Sequence, residues 1–150
     1  MLIRYLAILL TSLMLLSACN KGPNSPKGFS LPQGDAERGK TVFMTTGCLS
    51  CHAIEGIESD VPIELEKPVT IGGKVTRYKT YGELVTSVIN PSHRIAKGYI
   101  PKQVQDNGVS KMRNYNDSLT VSQLIDLVTF LETHYEVVPY QPTSYGVYYP

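Results

Sequence analysis

At 150 residues, with a formal net charge of +1 from 14 Lys and Arg against 13 Asp and Glu, the chain has room for one modest domain. So even a balance lacks the basic excess with which a domain grips nucleic acid, and no nucleic-acid partner is expected.

Residues 1–18 open with a single basic side chain, Arg4, and continue as an apolar run over 6–16 broken only by Thr11 and Ser12. That is the make-up of a secretory signal peptide. The run ends in Leu16-Ser17-Ala18-Cys19, which resembles the lipobox of bacterial lipoproteins, where the Cys thiol is acylated and becomes the first residue of the mature chain. The alternative is a retained membrane-spanning helix, which a length of roughly twenty residues with flanks permits. Small residues directly before a cysteine favour cleavage. Residues 19–33 then comprise the lipid anchor, Cys19, and a linker rich in Gly, Pro and Ser with little that could build a core. In either case the rest of the protein is expected outside the cytoplasm and close to a membrane.

Over 34–43, Asp35 is placed to cap a helix and Glu37 lies in its first turn, where a carboxylate favours the positive end of the dipole. Gly39 and Phe43 share a face. A glycine inside a helix costs about 1 kcal/mol relative to alanine, which makes sense where another helix must cross closely. Gly47 breaks the helix, and directly after it comes Cys48-Leu49-Ser50-Cys51-His52. Cys-x-x-Cys-His is the attachment signature of covalent c-type haem. On one turn of helix the two thiols and the imidazole face one way. Cys48 and Cys51 can then form thioethers with the haem vinyl groups while His52 reaches the iron. A zinc site would need a second ligand pair, and the remaining cysteine is Cys19. The cysteines are thus one anchor and two thioethers, with no pair left for a disulfide.

Acidic residues follow the motif at Glu55, Glu58, Asp60, Glu64 and Glu66, whereas basic ones dominate from Lys67 to Arg113. Two readings stand: separately solvated faces, or a basic side that steers an acidic redox partner. Residues 69–78 alternate partly around Gly72-Gly73, which predicts a small β-hairpin. Residues 80–89 carry Leu84, Val85, Val88 and Ile89 at helical spacing and stop at Asn90-Pro91, because the residue before a proline avoids helical angles. The strongest helix signal comes last. Thr120-Val121-Ser122-Gln123 fits a capping box, and the apolar stripe from Leu124 to Leu131 predicts a helix to about His134. The tail, residues 137–150, sets Tyr140, Tyr145, Tyr148 and Tyr149 among prolines, as an extended strip that covers apolar surface or docks on a partner.

The order Gly34-Asp35-Ala36, Gly39, Phe43, Cys48-x-x-Cys51-His52, Ile89-Asn90-Pro91-Ser92, Ala96-Lys97-Gly98-Tyr99, Met112, Leu119-Thr120, Gln123-Leu124, Asp126-Leu127-Val128 and Phe130-Leu131 resembles a class I monohaem cytochrome c. The middle portion is most similar to the cytochrome domains fused to some haem-copper oxidase subunits. The resemblance marks residues 34–136 as the domain. It implies a mostly α fold in which the N- and C-terminal helices cross beside one covalent haem c, near Gly39, Phe43 and Phe130. It also implies an axial Met on a loop before the final helix, which is where Met112 stands. Proline usually follows that Met, and here the next residue is Arg113, so a fixed backbone angle is lost. Met44 reads instead as a core residue, His93 as a capping or surface histidine, and His134 as a partner of the last helical carbonyls. Pro68 is the expected carbonyl source for orienting the His52 ring, and Arg77, Tyr78 and Tyr99 are candidates for bonding the haem propionates.

With His52 and Met112 both on the iron, the thioether favours the ferrous state and raises the potential relative to two imidazoles. No site is left for a small-molecule substrate. The expected role is that of an electron carrier between redox proteins, a dehydrogenase or oxidase complex, with no bond chemistry of its own. The alternative is that Met112 only anchors its loop over an open iron. The protein would then be a haem subunit or enzyme that binds or reduces a small molecule. Asn20, in place of an Asp after the lipidated cysteine, favours outer-membrane over inner-membrane sorting in a diderm host.

Overall fold

The computed structural model describes residues 31–139, together with Tyr5 taken alone. The chain divides into two units, the first ending at Pro32, and the fold below is that of the second. In chain order its elements are α1 (Ala36–Thr45), a 3-10 turn (Cys48–Ser50), β1 (His52–Ile54), β2 (Val69–Ile71), β3 (Gly73–Val75), α2 (Tyr81–Ile89), a second 3-10 turn (Pro91–His93), α3 (Pro101–Val104), β4 (Gln105–Asp106), β5 (Val109–Ser110), α4 (Val121–Glu132) and β6 (Tyr135–Val137). Four helices and a few very short strands make this a mostly α fold. No helix of the described residues is long and apolar enough to cross a membrane. The apolar run at 6–16, Cys19, the linker up to residue 30 and the tyrosines from Tyr140 onward lie outside the described residues.

The helices begin where their caps dictate. The Asp35 carboxylate accepts from Arg38 N–H, and Thr120 with Gln123 closes a reciprocal capping box. A second such box, Thr80 with Glu83, starts α2. Apolar faces then meet: Val42 and Phe43 from α1, Leu84, Val85 and Val88 from α2, and Ile125, Leu127, Val128, Phe130 and Leu131 from α4 are all buried. Phe43 and Val128 are the most deeply enclosed.

Gly39 sits at the crossing of α1 and α4. A Cβ there would strike the backbone carbonyl of Asp126 and lie 2.7 Å from Phe130 Cβ, so only glycine lets the helices approach this closely. One turn on, the rings of Phe43 and Phe130 pack with centroids 5.7 Å apart. Beside this contact a polar clamp ties the same two helices. Asp126, 6% exposed, accepts from Arg38 Nε at 2.7 Å, from Arg38 Nη2 at 3.0 Å and from the backbone N–H of Asp35 at 2.7 Å. The Arg38 guanidinium and the Asp35 N–H together hold the Asp126 carboxyl below the usual carboxylate range.

A depressed folded-state pKa stabilises fully above the unfolded value, about 4 for Asp, and that contribution disappears as the pH falls through the folded value. Arg38→Gln is therefore expected to be less stable than the parent near neutrality, with the gap narrowing below about pH 4. Urea unfolding at a series of pH values measures it, and a gap that stays constant into acid would contradict the assignment.

Two sequence expectations are corrected here. The hairpin over 69–78 does not form: β2 pairs in parallel with β1 (His52 with Val69, Ile54 with Ile71), and β3 pairs in parallel with β6 (Gly73 with Tyr135, Val75 with Val137). A single residue, Gly72, separates the two strands, too few for a hairpin loop. With φ at +84°, and with the space of its missing Cβ taken by the carbonyl of His134 at 2.5 Å, Gly72 passes the chain from one ladder to the other.

The last helix ends at Glu132, within two residues of the expected end near His134, and the chain tightens there. Thr133 N–H donates to Phe130 and His134 N–H to Leu131, both at 3.2 Å, and Tyr135 then enters β6. The His134 side chain does not serve the terminal carbonyls. Its ring packs edge-on against Phe130 at 4.7 Å, and its buried Nε2 has no partner among the described residues. Burial, with Lys40 nearby, pushes its pKa down, so the ring is neutral at ordinary pH.

Candidate functional site

At the end of α1 the chain turns through Gly47, whose φ of +78° favours glycine, into the 3-10 turn that begins with Cys48. The turn is shorter than the helical turn expected of the motif. It ends at Ser50, and His52 is already extended because it pairs with Val69 in the β1–β2 ladder. Two consequences follow from that backbone. Cys48 is buried, its Sγ 3.3 Å from Thr46 Oγ1, whereas Cys51 is half-buried, 3.6 Å from Ser50 Oγ and 3.9 Å from the Glu64 carboxylate. The His52 ring is turned so that Nδ1 lies 3.1 Å from the Val69 carbonyl. A carbonyl only accepts, so the neutral ring carries its proton on Nδ1 and keeps the lone pair on Nε2. Pro68 was the expected carbonyl source, and its neighbour Val69 supplies it instead, because the β1–β2 register sets His52 opposite Val69.

Cys48 and His52 line a cleft of about 330 Å³ of empty space, part of it open to solvent. Met112 lines it too, brought there by the loop between β5 and α4. Cys51 is not among its lining residues. The rest of the wall is almost wholly carbon: Phe43 from α1, Ile71 from β2, Val88 from α2, and Leu127 and Leu131 from α4, with Leu119 from the loop. Two polar groups interrupt it, Thr46 and Tyr115, and these bond one another: the Tyr115 hydroxyl donates to the Thr46 carbonyl at 3.2 Å. Burial raises the Cys48 thiol above its ordinary pKa against the opposing bond from Thr46, so it is protonated at neutral pH. Burial lowers the His52 pKa more than the bond to Val69 raises it. An apolar slot with a neutral imidazole, a thioether and a thiol is a soft, uncharged donor set, suited to iron in an organic macrocycle and poorly suited to a hard cation. Among the described residues no three His, Cys, Asp or Glu side chains gather to hold a metal ion by themselves.

The family model for cytochrome c matches residues 36–134. The chain belongs to the cytochrome c family. No curated protein and no solved structure matches it. Membership accounts for the mostly helical fold and carries the broad activity: a cytochrome c binds haem covalently and passes electrons to redox partners.

Other residues singled out in the sequence lie apart from the cleft of this cytochrome. Met44 is exposed at 38%, not in the core, because α1 turns that face to solvent. His93 is exposed at the end of its 3-10 turn, as expected of a surface histidine. Arg77 is engaged by Glu83, with Nη2 2.8 Å from Oε1, and Arg94 reaches the same oxygen at 2.9 Å; the two bonds to Arg77 and the cap with Thr80 hold the Glu83 carboxyl down to about 2. The Tyr99 hydroxyl accepts from Thr70 N–H at 2.9 Å, and Tyr78 is 58% exposed. Tyr115, Thr46 and Val69 were not anticipated as parts of the site. A lone tyrosine in the otherwise polar stretch Arg113-Asn114-Tyr115-Asn116-Asp117 was the one available signal.

Proposed function

We propose that this cytochrome is an extracytoplasmic, lipid-anchored monohaem electron carrier. Cys48 and Cys51 would hold the haem through thioethers, His52 would ligate the iron through Nε2, and Met112 through its sulfur. The observation that carries this reading is that Cys48, His52 and Met112 line one apolar cleft although Met112 is remote in sequence. When bound, the haem supplies a one-electron iron couple. The chain's own residues do the rest. Val69 fixes the tautomer and angle of His52, and the carbon wall keeps water away from the ligands. With both of them on the iron, His52 and Met112 would leave no coordination position for a substrate. The anchor at Cys19, the tether through residue 33 and the preference for the outer membrane rest on the lipobox pattern and Asn20. Respiratory or oxidoreductase complexes are the proposed partners.

The test is the matured holoprotein. Its haem is expected to stay with the polypeptide in acidified organic solvent, and its ferrous form is expected to bind carbon monoxide only slowly, since Met112 must first leave. Rapid binding by the unmutated ferrous protein would replace the carrier with a ligand-accessible haem protein.

A further inference from the structure

Met112 stands in a stretch without regular structure between β5 and α4, and the residue after it is Arg113, whose backbone angle is free. Something other than the backbone must keep its sulfur in place. On the upstream side the hold is local: Met112 N–H donates to Ser110 Oγ at 3.2 Å, and Ser110 N–H donates to Ser92 Oγ at 3.1 Å. Immediately downstream it is weak. Arg113 pairs with Glu64 at 3.5 Å, but both side chains are more than half exposed, and such pairs contribute little. The first firm attachment after Met112 is Tyr115.

Tyr115 lines the same cleft as Met112, and its hydroxyl donates to the carbonyl of Thr46 at 3.2 Å. Thr46 closes α1, and its own hydroxyl lies 3.3 Å from Cys48 Sγ. The tyrosine is gripped at both ends, because its carbonyl accepts from Ser118 and Leu119 N–H at 3.0 and 2.9 Å. Three residues of chain reach at most about 10 Å, so fixing Tyr115 confines Met112. A phenylalanine ring would fill the cleft equally well. The hydroxyl therefore adds an attachment, and not packing.

We propose that Tyr115 is a positioning residue for Met112: its hydroxyl fastens the loop carrying the thioether to the turn carrying Cys48, and so holds the sulfur at the iron. The inference rests on Met112 being an axial ligand. A hydrogen bond of ordinary net strength corresponds to about fivefold in an equilibrium, and this one acts on the equilibrium between attached and detached sulfur.

The experiment is a titration of the ferric holoprotein with imidazole, which competes with the sulfur, followed through the long-wavelength absorption band of sulfur-ligated ferric iron. Tyr115→Phe is expected to bind imidazole about fivefold more tightly than the parent, with haem content unchanged. Asn116→Ala removes a different side-chain tether of the loop, the 3.0 Å bond from Nδ2 to the Ile89 carbonyl. Because this bond is exposed, whereas that of Tyr115 is partly buried, it is expected to shift the affinity by less than about twofold. Unchanged affinity in Tyr115→Phe overturns the proposal, even if thermal stability falls, and so does an equal shift in Asn116→Ala. Met112→Ala separates the two failures. If the band survives in that variant, Met112 is not a ligand and the reading of the site falls. If it is lost while Tyr115→Phe behaves as the parent, only the role of Tyr115 falls.

Discussion

Gly39→Val is expected to destabilise the fold by about 3 kcal/mol, the upper end of what overpacking a core costs. The physical source is the closeness of α1 to α4. A methyl at position 39 already meets the Asp126 carbonyl and Phe130 Cβ, and these are a backbone atom and the root of a buried side chain, neither of which can swing aside. Gly39→Ala separates propensity from packing. It gains about 1 kcal/mol of helix preference and still has to push the helices apart, so it should remain destabilising, though less so than valine. For a domain of this size, 3 kcal/mol corresponds to a fall in Tm of roughly 12–24 °C, read by circular dichroism of the holoprotein. The effect also reaches the cleft, because Phe43 comes from one helix of the crossing and Leu127 and Leu131 from the other. A Gly39→Val protein that melts with the parent would show that the two helices do not meet at this residue.

That contact was legible in the chain because the signal is local and directional: a glycine one turn before Phe43, on a helix with an aspartate cap, has few uses besides close approach. The same holds for Thr120 with Gln123, where side-chain reach alone determines the helix start. What escaped depends on distant partners. Three-residue strands such as His52–Ile54 carry no readable alternation, and their parallel pairing with Val69–Ile71 is decided by the path of the intervening loop. The carbonyl behind His52 accordingly came out one residue from the expected one. Thr80-x-x-Glu83 is a signal of the same local kind as Thr120 with Gln123, and it starts α2. His134 looked like a helix-end histidine, and the β3–β6 ladder that folds the chain back over it comes from residues far upstream. Tyr115 bonds a carbonyl, and a backbone acceptor leaves no trace in residue identity.

Met112→Ala is expected to abolish the sulfur-to-iron absorption band, lower the reduction potential by on the order of 100 mV and make the ferrous protein bind carbon monoxide rapidly. Three features of the molecule lead there. Met112 is half-buried in the cleft that holds Cys48 and His52, so removing its side chain opens space where the sixth ligand stood. Among the described residues, the rest of the cleft wall offers no second thioether or imidazole to take its place. His134 is engaged with Phe130, and His93 is exposed on its own turn. The soft thioether favours ferrous iron, so its loss favours the ferric form. Met112→His distinguishes closure from potential: a second imidazole should keep carbon monoxide out while still lowering the potential. If Met112→Ala matches the parent in both potential and carbon monoxide binding, then Met112 is a wall residue and the electron-carrier reading of the site fails. If alanine opens the iron and histidine closes it again, the loop that Tyr115 fastens is what makes this cytochrome a carrier and not a ligand-binding haem protein.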